Sequence, residues 1–156
     1  MAIVVRKIPQ IAIDFIQNEE GVVLHQYRDI ANYLTICIGH LIRKHESFPD
    51  EMTEEQCKDL LHKDLLLTAV SIMRLIRVPL YDSQYAALLS WTYNLGSGAL
   101  QASTLRSRLN REDYNGVPEE MRKWVWAGGK KIRGLIRRRE REAALFEAEE
   151  NYNEDE

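Results

Sequence analysis

Cysteine is scarce in this chain of 156 residues: there are two, Cys37 and Cys57. That is too few for a disulfide framework, and their spacing matches no zinc-ligand pattern, so both are expected to be free and reduced. No apolar run reaches the ~18 residues needed to cross a bilayer. The opening "MAIVVRKIPQ" has an apolar patch of only Ala2 to Val5, with its charges after the patch, which is not the order of a secretory signal. Internal repeats are missing, and the acidic end is the one biased segment. These absences argue against a disulfide scaffold, a membrane-spanning protein and a repeat array. They fit synthesis in a cytoplasm, and a length that suits one domain or two small lobes sharing a helix.

Charge is present but unevenly placed. The net charge is -3, yet Arg122 to Arg141 ("RKWVWAGGKKIRGLIRRRER") is strongly basic and Glu142 to Glu156 ("EAALFEAEENYNEDE") carries only acidic charges. A basic stripe of this kind reads either as a site for an anionic partner or as the solvated face of a helix.

Hydrophobic spacing divides the chain. Pro9 to Glu20 reads as a helix, with Ile11, Ala12, Phe15 and Ile16 on one face and Gly21 where it stops. Val22 to Ile42 shortens its period and reads as a small antiparallel sheet, with Asp29 to Asn32 as a turn. At Thr53 a long helix starts with a capping-box pair, Thr53 and Gln56, and a hydrophobic staple, Met52 and Cys57. It runs to about Ile76, stopped by Pro79, and its later part "LLLTAVSIMRLI" is apolar nearly all round, which predicts burial among other helices. Further helices are predicted from Asp82 or Ser83 to Tyr93, from Ser103 or Thr104 to Leu109, from Pro118 to Trp126, and from Gly134 to Glu147.

Two carboxylates stand across the first helix-to-strand switch. Glu20 falls in the last turn of a helix, where unpaired carbonyls disfavour a charged carboxylate and favour a retained proton. Asp29 falls in a polar turn whose N–H groups and water keep it ionised. Carboxyls whose environments push their pKa values apart are the pattern of a general acid and its partner. Thr35, on the next strand, offers a hydroxyl to hold water. Each residue alone also has a plain reading as a helix end or a turn former.

The spacing Glu20-Gly21, Asp29 nine positions after the Glu, and Thr35 inside "TICIGH" resembles the phage-type lysozymes (endolysins) of glycoside hydrolase family 24, the family of the T-even phage lysozymes. The likeness continues through Arg77 to Asn110 and Trp124 to Phe146. It implies an α+β fold: a small N-terminal lobe with a three-stranded antiparallel sheet, a long connecting helix and an all-helical C-terminal lobe. The expected bounds are about 12–60, about 61–147, and 148–156 for the acidic tail. The resemblance implies hydrolysis of the β-1,4 bond between N-acetylmuramic acid and N-acetylglucosamine in peptidoglycan. Glu20 would protonate the leaving oxygen, and Asp29 would position or activate water with help from Thr35. Inversion would place the carboxyls ~6.5–9.5 Å apart.

By the same resemblance Leu41, Tyr93 and Thr104 fall at sugar-contacting positions. His40 is a structural hydrogen-bond or ion-pair partner, and Arg137 or Arg138 is the basic residue near the acid. Cys37 stands where the family usually has Gly, and Asn32 lies near its turn Gly. No metal or cofactor is implied, and the chain is expected to act as a monomer without stable membrane insertion. A holin is expected to let it pass from the host cytoplasm to the wall. Three other readings separate by assay: a nucleic-acid binder using the basic helix, a wall-binding or virion structural module, and a lytic transglycosylase. Glu140 and Glu142 interrupt the basic stripe, which argues against the first.

Overall fold

The structure is a computed structural model and describes residues 5–148; the opening residues and the greater part of the acidic tail lie outside the described residues. Helix α1 (Gln10–Glu20) ends at Gly21, whose φ of 71° suits glycine and whose N–H returns to Gln17 O at 2.9 Å. Its buried face is Ala12 and Ile16, while Ile11 lies exposed. Helix α1 packs against α3 (Asp82–Leu95).

Strands β1 (Val23–Arg28), β2 (Leu34–Cys37) and β3 (His40–Leu41) form an antiparallel sheet in that order. The first turn lies where the sequence predicts it. Asn32 N–H donates to Asp29 O at 2.9 Å, and Asn32 takes a φ of 67°, a region that asparagine tolerates. Tyr27 pairs with Thr35 across β1 and β2, and Ile36 with His40 across β2 and β3.

Helix α2 (Glu54–Leu75) opens on the predicted capping box: Gln56 N–H donates to Thr53 Oγ1 at 3.1 Å and Thr53 N–H to Gln56 Oε1 at 2.9 Å. Its apolar girth is not buried all round. Cys57, Leu61, Leu65, Ala69 and Ile72 form one buried stripe, while Leu67 is 56% exposed. Leu67 stays exposed because it faces an open cleft between the sheet and the helical body.

The expectation of two free cysteines is overturned. Cys37 and Cys57 are joined in a disulfide, with Cα atoms 5.0 Å apart. Counting cysteines could not show that the end of β2 packs on the first turn of α2. Cys57 therefore serves less as a staple than as a crosslink. Cys37 has a φ of 64°, which explains why a glycine would suit its position.

The helical body is built from α3, α4 (Ser97–Ala102), α5 (Thr104–Asn110), α6 (Val117–Arg122) and α7 (Arg133–Glu147) around Trp91, Leu88, Leu105 and Phe146. The residue before α3 is Tyr81, whose N–H donates to Gln84 Oε1 at 2.9 Å, and Ser103, not Thr104, caps α5 by accepting from Arg106 N–H at 3.1 Å. Helix α6 stops at Arg122, short of Trp126. There the chain leaves the helix for a hairpin of β4 (Trp126–Ala127) and β5 (Lys130–Lys131), turned by Gly128 and Gly129 with φ of 57° and 76°. Two successive positive φ values are what a tight hairpin turn needs, and the Gly-Gly pair serves that turn, not a helix end. Among the described residues, no helix is long and apolar enough to cross a membrane.

Candidate active site

Glu20 is the last residue of α1, at the place where its carboxyl meets unpaired helix carbonyls. Two neighbours fix it. Arg138 Nη1 donates to Glu20 Oε1 at 2.5 Å, across 118 positions of sequence. Gly39, in the turn between β2 and β3, lies so close that a Cβ there would stand 2.6 Å from Glu20 Oε2. One carboxyl oxygen is thus held by a guanidinium and the other rests on a bare backbone. Of the two candidate arginines, Arg138 faces the acid and is buried, while Arg137 is exposed. Helical phase decides between them, because the inward face of α7 also carries Ala143 and Phe146.

Asp29 is oriented by its own turn. Tyr33 N–H donates to Asp29 Oδ1 at 2.8 Å, as the polar-turn reading requires. Thr35 is buried, and its hydroxyl donates to Tyr33 O at 2.8 Å, which leaves the oxygen's lone pairs as acceptors. Tyr27 lies opposite Thr35 across β1 and β2. Burial, and then the negative charges of Glu20 and Asp29, push its phenol above the ordinary value, so both carboxylates bear on one side chain.

Leu41 and Tyr93 line one cleft of about 460 Å³, together with Gly39, Asp64, Leu67 and Ser71. Leu41 is half exposed. The Tyr93 hydroxyl donates to Ile38 O at 2.6 Å. Burial, followed by the charges of Asp64 and Glu20, pushes that phenol far up, so it stays neutral. The structure does not bring Thr104 into this cleft. It lines a separate depression of about 540 Å³ with Leu95, Lys123, Trp124 and the exposed Trp126.

His40 uses both ring nitrogens: Nδ1 meets Asp64 Oδ2 at 2.6 Å and Nε2 meets Glu46 Oε1 at 2.9 Å. Burial works against its charge, but the hydrogen bonds to Asp64 and Glu46 and their negative charges outweigh it and raise the imidazole. Much of the basic stripe is also occupied internally. Arg122 pairs with Glu140, Arg141 with Glu19, and Arg138 and Arg139 with Glu142.

Sequence reasoning passed over Tyr27, Gly39, Asp64 and Glu142. For Tyr27 the signal was its place two positions before Asp29 on a strand that pairs with Thr35; for Glu142 it was the i, i+3 and i+4 spacing to two arginines.

A small antiparallel sheet joined through a long helix to a helical body, with a carboxyl held at a helix end against Gly39 of the cleft, is the arrangement of a lysozyme-type glycoside hydrolase. The phage lysozyme family profile matches residues 17–142, and the chain belongs to that family. It is 41% identical over 131 residues to the SAR-endolysin of Escherichia phage Mu, covering 81% of this chain and 73% of that protein. Among solved structures, a P22 lysozyme mutant is 33% identical with a TM-score of 0.80, over 92% of this chain and 99% of that one. The endolysin from Escherichia coli O157:H7 phage FAHEc1 is 31% identical with a TM-score of 0.81, over 90% of this chain and 93% of that one.

Proposed function

We propose that this enzyme is an endolysin that cleaves the β-1,4 bond between N-acetylmuramic acid and N-acetylglucosamine in peptidoglycan, with inversion. Glu20 donates its proton from Oε2 to the leaving glycosidic oxygen while Arg138 steadies Oε1. Asp29, fixed by Tyr33 N–H, accepts a proton from the attacking water. Thr35 accepts a hydrogen bond from that water and so aims its lone pair. Inversion needs about 6.5–9.5 Å between the carboxyls, room for the water between them. Leu41 and Tyr93 take the sugar faces, and Thr104 belongs to a more distant part of the wall contact, beside Trp126.

The observation that supports this reading is Glu20 at the end of α1, gripped through a single oxygen by Arg138, with Asp29 oriented in the sheet's turn by Tyr33 N–H. The Cys37–Cys57 disulfide supports action in an oxidising compartment such as the periplasm. The enzyme acts as a monomer and reaches the wall through a holin lesion.

Clearing of outer-membrane-permeabilised cells tests the assignment. The native chain is expected to clear the suspension and Glu20→Gln to leave it turbid; equal clearing by both rejects Glu20 as the acid. Mass spectrometry of the released muropeptides should show hydrated reducing ends, and anhydro ends would make the enzyme a transglycosylase instead.

A further inference from the structure

Behind Arg138 lies a second carboxylate that the reaction as described does not use. Glu142 is completely buried on α7, as are Arg139 beside it and Ser90 on α3. Its Oε2 accepts from Arg138 Nε at 3.2 Å and from Ser90 Oγ at 2.6 Å, and its Oε1 accepts from Arg139 Nη1. Arg138 Nη2 is used as well, donating to Ser90 O at 3.2 Å and Ser90 Oγ at 3.3 Å. Arg139 is fixed in turn by Trp124 O, at 3.0 Å from its Nε, and by Asn94 Oδ1.

A guanidinium presents its N–H groups as a rigid fork, and its strongest pairing with a carboxylate uses two of them in parallel. Here the edge formed by Nε and Nη2 is already taken by Glu142 and Ser90. Nη1 is left for Glu20, and it reaches Oε1 alone. We infer that Glu142 is a positioning residue for the proposed acid: it holds Arg138 turned so that the guanidinium grips one oxygen of Glu20 and leaves the other to carry the proton. It also offsets one of the two adjacent guanidinium charges, so Glu20 does not face an unbalanced pair.

The groups facing Glu142 are Arg138 and Arg139 on its own helix, with Arg141 beyond them, and Ser90 on α3. Those facing Glu20 are Arg138 from α7 and Gly39 from the sheet turn, with the phenols of Tyr93 on α3 and Tyr27 on β1 beyond. Removing the charge of Glu142 weakens its hold on the fork, which can then turn toward the second oxygen of Glu20, and adds net positive charge beside it. Both changes favour the ionised acid, which cannot donate.

This inference rests on Glu20 as the acid, so the experiment carries an arm for each. On soluble peptidoglycan fragments with the full chain, Glu142→Gln is expected to lower kcat at neutral pH by about tenfold or more, with KM held within about twofold. The alkaline limb of its kcat/KM profile should move to lower pH by about one unit. An unmoved limb in a folded Glu142→Gln protein overturns the inference, as does a loss confined to KM. Should that variant fail to fold, Ser90→Ala decides. It removes the hydroxyl that joins Arg138 to Glu142, and it should shift the same limb in the same direction by less; an unchanged profile overturns the inference. If Glu20→Gln is as active as the native chain, the acid assignment falls and this inference falls with it. If Glu20→Gln is inert while Glu142→Gln keeps the native profile, only the positioning role is lost.

Discussion

Replacing Gly39 by alanine separates the cost of a backbone angle from the cost of displacing the proposed acid. Gly39 has a φ of 73°, and an added Cβ would lie 2.6 Å from Glu20 Oε2 and 2.9 Å from Glu20 Cδ. The angle alone costs an L-residue about 1–2 kcal/mol. The contact is shorter than the ~3.5 Å at which carbon stops repelling its neighbours, so Glu20 must retreat by roughly 0.7–1 Å. That retreat disturbs its 2.5 Å bond to Arg138 Nη1 and carries Oε2 away from the cleft. Misplacing a reacting group by about 1 Å costs on the order of 10²-fold in rate, or about 2.7 kcal/mol of activation free energy. Gly129→Ala supplies the control. Its φ is 76° and nothing lies within 4 Å of its added Cβ, so it meets a similar angle without the contact. Urea unfolding should show both variants destabilised by about 1–2 kcal/mol. A turbidity assay at equal folded concentration should show Gly129→Ala near native activity and Gly39→Ala about 10²-fold slower. Equal activities would refute the reasoning, because the clash with Glu20 would then have no consequence for the chemistry.

Two further perturbations probe the frame around the site. Reducing the Cys37–Cys57 bond, whose partners are 20 positions apart, should lower stability by about 3 kcal/mol through regained chain entropy. That corresponds to roughly 6–12 °C in Tm for a chain of this length, and an unchanged melting curve with and without reductant would contradict it. The second concerns pH. The folded-state pKa of His40 is raised above its ordinary 6.5, so its contribution is complete below that value and is lost as pH rises through the folded pKa. Glu46 is lowered from 4.5: burial pushes its carboxyl up, but the Arg43 N–H and His40 more than offset this. Its contribution is complete above 4.5 and is lost as pH falls through the folded pKa. Denaturation of His40→Gln against the native chain should therefore show its largest deficit between about pH 4.5 and 6.5 and a shrinking one above. A deficit independent of pH would place the role of His40 in packing alone.

What the sequence disclosed was mostly local. Thr53 and Gln56 are three positions apart, Asp29 to Asn32 close their own turn, and Glu20 is followed at once by the glycine that ends its helix. In each case the partners are chain neighbours, and spacing fixes their geometry. The features that escaped depend on which element lies against which. The disulfide needs the end of β2 to reach the start of α2. The choice between Arg137 and Arg138 needs the phase of α7 against α3 and α1. The exposed Leu67 on α2 needs knowledge of where the cleft opens. Pro118 and the Gly-Gly pair did signal a helix start and a chain reversal, but the intervening residues leave the helix at Arg122, since Trp124 turns inward onto Trp91 with ring centroids 5.4 Å apart.

The four residues Cys37 to His40 explain how such distant parts hold one geometry. Cys37 is bonded to α2, the Ile38 carbonyl accepts the Tyr93 hydroxyl of α3, Gly39 abuts the last residue of α1, and His40 is hydrogen-bonded to Asp64 of α2. Each successive residue thus meets a different side chain of the helical elements. Glu20 belongs to a helix packed on the helical body, whereas Asp29 belongs to the sheet, so their separation depends on how the sheet is seated. A seat with one attachment would let the sheet pivot and the gap between the carboxyls vary. Attachments from α1, α2 and α3 fix both position and tilt, and they converge on the turn beside the proposed acid. The same segment requires positive φ at Cys37 and Gly39. The backbone cost at Cys37 is therefore met where attachments are dense, as expected when surrounding contacts hold a strained residue in place.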